Sequence, residues 1–224
     1  MPELILASSS PRRADLLSQI GLEFEVVVPE VSETVQKKEL PADYVARISR
    51  KKADSVAAFL EQDTGAQIAE RIILAADTAV VVDGAILGKP SDRSDAISML
   101  QRLSGSTHQV ITSVTVRLGS RVESAQVETI VQFRVIRPEE CVRYWVSGEP
   151  ADKAGAYGIQ GLGSIFVEKL CGSYSNVVGL PLAETASLLS GFGLDCLPLE
   201  PPSEPRPRRR TKFGQGCNSA WLKK

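Results

Sequence analysis

Two adjacent arginines near the start of the chain have the type and placement that a phosphate-containing ligand requires. Arg12 and Arg13 follow the segment Ser8-Ser9-Ser10-Pro11. Pro11 suits the first position of a helix, and arginines in a first helical turn oppose the helix dipole. Their placement is favourable when the helix end and the serine loop bind an anion. A solvated arginine pair behind an ordinary helix cap is the alternative, and this segment alone leaves both interpretations open.

Asp77 is a candidate general base or metal ligand. It follows the apolar run Ile72-Ile73-Leu74-Ala75-Ala76, which predicts a buried strand that stops at this aspartate. Sheets of α/β proteins place ligand-binding groups where such strands end. A carboxylate there can hold Mg²⁺ or accept a proton from an attacking water. In isolation, a turn or helix cap is the more ordinary interpretation. Lys89, which lies between Gly88 and Pro90, is in isolation an ordinary surface lysine.

A glycine-rich segment, residues 148–163, is the third candidate. Its five glycines in sixteen residues let the backbone approach a ligand closely, and the Gln160 amide can pair with the edge of a base. A plain long loop is the alternative, although the side chains of Asp152, Lys153 and Tyr157 are unusual in such a loop. Outside these segments, His108 is predicted at the surface, and Cys141 and Cys171 are predicted in the core.

Composition indicates a globular chain with a distinct C-terminal segment. Of the 224 residues, 43% are hydrophobic and 24% are charged, which argues against a disordered, collagen-like or membrane protein. Four cysteines without a CxxC pair and a single histidine argue against a zinc site and favour a reducing, cytoplasmic location. Residues 198–224 hold seven basic side chains and five of the thirteen prolines. We therefore predict a folded domain over residues 1–197 and a basic, disordered tail over residues 198–224.

Hydrophobic periodicity predicts strands and helices in mixed order, which is typical of an α/β fold with a mixed sheet. Predicted strands cover residues 4–7, 23–28, 72–75, 80–82, 85–87 and 165–170, with a long antiparallel pair between 108 and 135. Predicted helices cover residues 11–20, 41–61, 92–103, 138–146 and 181–189. Asp83-Gly84 predicts a tight hairpin turn between two of the strands.

Taken together, these segments resemble the Maf family of nucleoside triphosphate pyrophosphatases over most of residues 3–193. The motifs LASSSPRR, AADTAVVVDGAILGKP, LSGSTHQV, GEPADKAGAYGIQG and NVVGLPL occur in the family's order. The sequence is most similar to the branch that cleaves dTTP and UTP, because SPRR, ADT and YGIQG are all present. The branch that acts on 7-methyl-GTP differs at these three places.

The resemblance implies a role for each motif residue. It makes Asp77 the general base, and with Glu33 the ligand pair for a divalent cation, Mg²⁺ or Mn²⁺. It makes Arg13, Lys52 and Lys89 a phosphate clamp above a loop that contains Ser8 and Ser10. It assigns base preference to Arg12, Thr78 and Gln160. The implied fold is an elongated mixed sheet with flanking helices, forming two lobes around a cleft as in the inosine triphosphate pyrophosphatases. The implied assembly is a homodimer.

The implied reaction is hydrolysis of dTTP and UTP, and possibly of modified pyrimidine nucleotides, to a monophosphate and pyrophosphate, which keeps these nucleotides out of nucleic acid. Basic side chains and a metal suit it, because charge builds on the leaving pyrophosphate. The alternative function is a nucleotide-sensing regulator of cell division or septum formation that uses the same cleft. Nucleic-acid binding through the tail is disfavoured because the domain is acidic. A membrane role is not expected.

Overall fold

The chain folds around one mixed seven-stranded sheet in the computed structural model, which describes residues 3–64 and 71–197. The strands are β1 (Leu4–Ala7), β2 (Glu25–Val27), β3 (Ile72–Val82), β4 (Ala85–Leu87), β5 (Thr107–Leu118), β6 (Arg121–Phe133) and β7 (Val167–Cys171). Their order is β2-β1-β3-β5-β6-β7, and β4 also pairs with β3. Pairing of β1 with β2 and β3 is parallel, and the other pairs are antiparallel. The predicted α/β class with a mixed sheet is therefore confirmed.

Helices cover both faces of this sheet. They are α1 (Pro11–Gln19), α2 (Pro41–Thr64), α3 (Arg93–Leu103), α4 (Pro138–Val146), α5 (Tyr174–Val178) and α6 (Leu182–Gly191). Asp92 caps α3, because its carboxylate accepts a hydrogen bond from the Asp95 amide at 2.9 Å. Helix α5 was not predicted, since five residues are too few to show helical periodicity. None of the described helices combines the length and the apolar character needed to cross a membrane.

Strand β3 continues past Asp77, so the prediction that it stops there is wrong. Strand β5 pairs with it from Ile73 to Val81, and this continuous ladder carries the strand through the aspartate. The opposite edge of β3 is divided between two partners. Strand β1 covers residues 72–75 and β4 covers residues 80–82. In the described part of the chain no strand pairs with residues 76–79 on that edge, and Asp77 lies in this gap.

Two predictions about single side chains are also wrong. His108 is 2% exposed rather than at the surface, and its Nε2 lies 2.8 Å from the Tyr157 hydroxyl. The reason is that the rings of Phe133 and Tyr157 pack edge-on against the imidazole, with centroids 4.8 Å and 5.4 Å away. Cys171 is exposed because it ends the edge strand β7, whereas Cys141 on α4 is buried as predicted. The predicted tail, residues 198–224, lies outside the described residues.

Candidate functional site

A cleft of about 610 Å³ opens at the gap in the edge of β3. All ten residues that the sequence resemblance selects line this cleft: Ser8, Ser10, Arg12, Arg13, Glu33, Lys52, Thr78, Lys89, Gln160 and Asp77. They come from segments up to 152 positions apart, between Ser8 and Gln160. The fold therefore brings together residues that were selected from separate motifs.

A buried lysine joins two carboxylates at the floor of the cleft. Lys52 Nζ on α2 lies 2.7 Å from Asp77 Oδ1 and 2.6 Å from Glu33 Oε1. The side chains of Lys52 and Asp77 are 8% and 7% exposed, whereas that of Glu33 is 47% exposed. The Lys52 ammonium therefore compensates the negative charge of Asp77, which strand β3 places in the interior.

The two carboxylates have different acidities because their surroundings differ. Burial raises the pKa of Asp77, although the charges of Lys52 and Arg13 act against it. Burial also acts to raise the pKa of Glu33, but the hydrogen bond from Lys52 and the nearby positive charges outweigh it, so this pKa is lowered. Glu33 is therefore a stable anion at neutral pH, and Asp77 is the better proton acceptor of the two.

Arg13 is fixed by three hydrogen bonds at the start of α1. Its Nε donates to the Gly179 carbonyl at 2.8 Å, and its two terminal nitrogens donate to Ser8 Oγ at 3.3 Å and Thr78 Oγ1 at 3.1 Å. Burial lowers its pKa, which the charges of Asp77 and Glu33 oppose. A guanidinium has five N–H groups, so each terminal nitrogen keeps one donor for a ligand. Arg13 is not the solvated side chain that the alternative interpretation required.

The serine loop leaves hydroxyl groups available at the start of α1. Ser8 Oγ accepts a hydrogen bond from the Ser10 amide at 3.1 Å, while the Ser10 side chain makes no capping bond to the helix. The first turn of α1 contains no acidic residue. The positive end of the helix dipole therefore faces the cleft without a side-chain carboxylate to neutralise it.

Lys89 and Gln160 lie on the walls of the cleft as exposed side chains. Lys89 follows β4, and the neighbouring Gly88 carbonyl accepts a hydrogen bond from the Gly155 amide at 3.0 Å. Within residues 3–64 and 71–197, neither the Lys89 ammonium nor the Gln160 amide has a hydrogen-bond partner. Both groups are therefore free to bind a ligand.

The other two residues assigned to base preference already have protein partners. Thr78 Oγ1 lies 2.9 Å from Thr112 Oγ1 and accepts from Arg13. Arg12 forms an ion pair of 3.1 Å with Asp152, which lies in the glycine-rich segment. Arg12 thus connects the serine loop to the opposite wall of the cleft.

Two polar residues among those that line the cleft and were not selected from the sequence are Tyr44 and Glu149. Tyr44 belongs to the apolar stripe of α2, and its hydroxyl donates to the Glu33 carbonyl at 3.1 Å. A tyrosine at a core position of a helix beside polar neighbours was the available signal. Glu149 begins a 3₁₀ turn over Glu149–Asp152, and an acid inside a glycine-rich segment was the signal there.

The carboxylates suit a divalent cation bound together with a substrate. Asp77 Oδ2 is buried without a hydrogen-bond partner, and Glu33 offers a second carboxylate beside it. Mg²⁺ is commonly held by one or two carboxylates plus substrate phosphates rather than by a complete protein cage. Consistent with this, no cluster of three or more His, Cys, Asp or Glu side chains suited to a metal occurs among the described residues.

Comparisons with known proteins agree with this arrangement of motifs. Proteins named dTTP/UTP pyrophosphatase from Hahella chejuensis and Vibrio cholerae are 48% and 50% identical to this chain over 193 and 190 residues. These matches cover 85% of this chain and 92% and 98% of the relatives. A relative of the same name from Pseudoalteromonas atlantica is 49% identical over 192 residues, covering 85% of this chain and 97% of the relative.

Among solved structures, the Ham1 protein of Staphylococcus aureus is similar with a TM-score of 0.41 and 13% identity, over 58% of this chain and 71% of that one. The profile of the family described as Maf-like protein matches residues 3–192. Because that match spans nearly all of the described residues, and relatives share about half of the sequence, the chain belongs to the family of Maf-like proteins.

Proposed function

We propose that this protein is a nucleoside triphosphate pyrophosphatase that hydrolyses dTTP and UTP to the monophosphate and pyrophosphate. The convergence of ten motif residues on one cleft carries the proposal, since they supply a base, carboxylates, cations and a free amide together. The names of the relatives from Hahella chejuensis and Vibrio cholerae support the same substrates. No observation on the described residues favours the nucleotide-sensing regulator.

Asp77 is the proposed general base. Water attacks the α-phosphorus, the bond from that phosphorus to the bridging oxygen of the β-phosphate breaks, and pyrophosphate leaves. The Asp77 carboxylate, whose Oδ2 has no protein partner, accepts the proton of the attacking water. Lys52 holds the other oxygen at 2.7 Å, so the carboxylate keeps one orientation. Its raised pKa moves it towards the range in which a general base is effective.

Arg13, Lys52 and Lys89 are the proposed phosphate clamp. Arg13 is held rigidly by Gly179 and Thr78, so its remaining donors reach the ligand without a further loss of side-chain freedom. The start of α1 and the Ser8–Ser10 loop add backbone donors for phosphate oxygens. A divalent cation, Mg²⁺ or Mn²⁺, held by Glu33 and Asp77 would neutralise the charge that develops on the leaving group.

Gln160 is the proposed reader of the base, with Arg12 and Thr78 as further determinants. The edge of uracil or thymine presents carbonyl oxygens and one N–H, which a side-chain amide complements. Cytosine presents an amino group in place of one carbonyl, so the pairing is broken there. Sites that hydrogen-bond a polar edge discriminate against analogues lacking it by large factors. We therefore expect dTTP and UTP to be better substrates than CTP.

The test is pyrophosphate release from dTTP, UTP, CTP, GTP and 7-methyl-GTP in the presence of Mg²⁺. Gln160→Glu replaces a donor by an acceptor, and it should lower kcat/KM for dTTP and UTP by about tenfold or more. Gln101→Glu, at an exposed position of α3, is the matched control and should change nothing. GTP or 7-methyl-GTP as the best substrate would refute the base assignment. Release of orthophosphate in place of pyrophosphate would refute the reaction.

The proposal also includes a homodimer in the cytoplasm, and a domain boundary near residue 197. Sedimentation velocity of the full chain measures the oligomeric state, and limited proteolysis locates the domain boundary. Binding to nucleic acid is not part of the proposed function. The proposed substrates also include modified pyrimidine nucleotides that keep the uracil-like edge.

A further inference from the structure

Gln160 lies in a loop whose position is fixed by groups other than its own side chain. The loop runs from Gly158 to Gly163 and exposes Gln160 to the cleft. Ile159 packs against buried apolar side chains of the core, and this turns the side chain of the next residue, Gln160, outward. A free amide selects a base only when the backbone that carries it has a defined position.

Glu149 binds the far end of this loop. Its carboxylate accepts hydrogen bonds from the amides of Leu162 at 2.7 Å and Gly163 at 3.1 Å. It also accepts from the Tyr144 hydroxyl at 2.6 Å. One carboxylate therefore accepts three donors, two of which belong to the loop backbone.

Tyr144 binds the near end of the loop. Its hydroxyl donates to Glu149 and accepts from the Gly158 amide at 3.0 Å. Burial, with the hydrogen bond to Glu149, raises the pKa of Tyr144, so the phenol stays protonated and keeps its donor. Burial acts to raise the pKa of Glu149, but the bonds from Tyr144 and the two amides outweigh it and lower this pKa. The pair is therefore a carboxylate and a phenol at neutral pH.

The glycines of the loop show how closely these side chains approach it. A Cβ on Gly161 would overlap the Glu149 carboxylate. A Cβ on Gly163 would lie 2.5 Å from the Tyr144 hydroxyl oxygen, and one on Gly158 would lie 2.7 Å from Lys153 Cε. The glycine pattern of YGIQGLG is thus explained by contact with Glu149, Tyr144 and Lys153.

The 3₁₀ turn over Glu149–Asp152 also contacts Arg12, another of the proposed determinants of base preference. Lys153 Nζ donates to the Glu149 carbonyl at 2.7 Å and to Asp152 Oδ1 at 2.7 Å. The other oxygen of Asp152 accepts from Arg12 at 3.1 Å. Gln160 and Arg12 are therefore both positioned from the turn that begins at Glu149.

We propose that Glu149 is a positioning residue for base selection, which it exerts by holding the Gly158–Gly163 loop so that Gln160 faces the base. This inference rests on the proposed function, because it concerns the preference of that same cleft. On this proposal, base selection and the chemical step depend on different residues, since Glu149 makes no contact with Asp77 or Lys52, the groups assigned to the reaction itself.

The test compares Glu149→Gln with Glu139→Gln, an exposed position on α4. Glutamine has the same shape as glutamate, but its NH₂ group cannot accept the hydrogen bond that a backbone N–H of the loop donates to the carboxylate. We expect kcat/KM for dTTP and UTP to fall about tenfold or more, with a much smaller change for CTP, so that discrimination falls. Glu149→Gln combined with Gln160→Ala should discriminate no worse than Gln160→Ala alone. An equal loss for all nucleotides, or additive losses in the double variant, would overturn the proposal.

Amide hydrogen exchange separates this proposal from the proposed function. In Glu149→Gln, the amides of Leu162 and Gly163 should exchange faster than in the parent, and in Glu139→Gln they should not. Unchanged exchange would overturn the positioning role whatever the substrate is. A parent enzyme that does not prefer dTTP and UTP over CTP would instead refute the base assignment, and the exchange result would then decide alone whether Glu149 holds the loop.

Discussion

Replacing Lys52 by Met should destabilise the protein mainly through Asp77. Methionine keeps most of the length of the side chain, which is one heavy atom shorter than that of lysine, but it removes the ammonium from its position between Asp77 and Glu33. Breaking a buried ion pair by removing one partner costs about 3–5 kcal/mol, whereas an exposed pair contributes about 0–1 kcal/mol. The Lys52–Asp77 pair is a buried pair, whereas the Lys52–Glu33 pair counts as an exposed one because Glu33 is half-exposed. We therefore expect a loss of about 3 kcal/mol, which lowers the Tm of a domain of this size by about 6–12 °C.

The loss should depend on pH in a defined direction. Burial already raises the pKa of Asp77, and removing Lys52 raises it further. A carboxyl group whose pKa is raised by folding binds more protons in the native state than in the unfolded state. Stability then falls as pH rises past the unfolded pKa of about 4. The difference between variant and parent should be small near pH 4 and full at pH 7.5.

Urea denaturation at these two pH values measures the effect, with Lys51→Met on the exposed face of the same helix as the control. In the Asp77→Asn background the cost of Lys52→Met should shrink to about 1 kcal/mol, because the uncompensated charge is gone. Equal stabilities of the two Met variants at pH 7.5 would refute this reasoning. A cost that is unchanged in the Asp77→Asn background would show that Lys52 stabilises by packing alone.

The remaining predictions concern the base, the buried histidine and the end of the chain. Asp77→Asn should lower kcat by about a hundredfold or more, and it should lower the Tm less than Lys52→Met does, because Lys52 keeps Glu33 as a charged partner. Asp83→Asn in the β3–β4 turn should leave kcat unchanged, and near-parental turnover of Asp77→Asn would exclude Asp77 as the base. Burial lowers the pKa of His108 to about 4, so stability should fall as pH falls from about 6.5 towards 4, and His108→Gln should flatten that slope in urea titrations. A chain that ends at Leu197 should retain pyrophosphatase activity, because the ten candidate site residues lie between Ser8 and Gln160.

Local patterns predicted the elements that carry the proposed phosphate-binding groups. Pro11 and the apolar spacing behind it predicted α1, and Asp83-Gly84 predicted the hairpin that precedes Lys89; both residues of that turn have positive φ, at 50° and 73°. Such features are encoded within a few residues, so one sequence suffices to find them.

Long-range contacts account for what local patterns missed. Whether β3 ends at Asp77 depends on β5, which lies about 35 positions further along the chain and pairs with it beyond the aspartate. His108 was predicted at the surface because its local sequence is polar, whereas its burial comes from Tyr157 and Phe133. The role of Glu149 depends likewise on amides 13 and 14 residues later.

The division of one strand edge explains how one cleft can combine the two proposed tasks, phosphate binding and base selection. Strands β1 and β4 leave residues 76–79 of β3 without a strand on one side, and Asp77 and Thr78 lie in that gap. The proposed phosphate-binding groups come from residues 8–89, whereas the loop that carries Gln160 comes from residues 148–163. Arg12 connects the two parts through its ion pair with Asp152. Arg13 is shared by both proposed tasks, because it belongs to the proposed phosphate clamp and donates to Thr78, one of the proposed determinants of base preference. Changes at Glu149 should therefore alter the choice of base more than the chemical step, whereas changes at Arg13 should impair both.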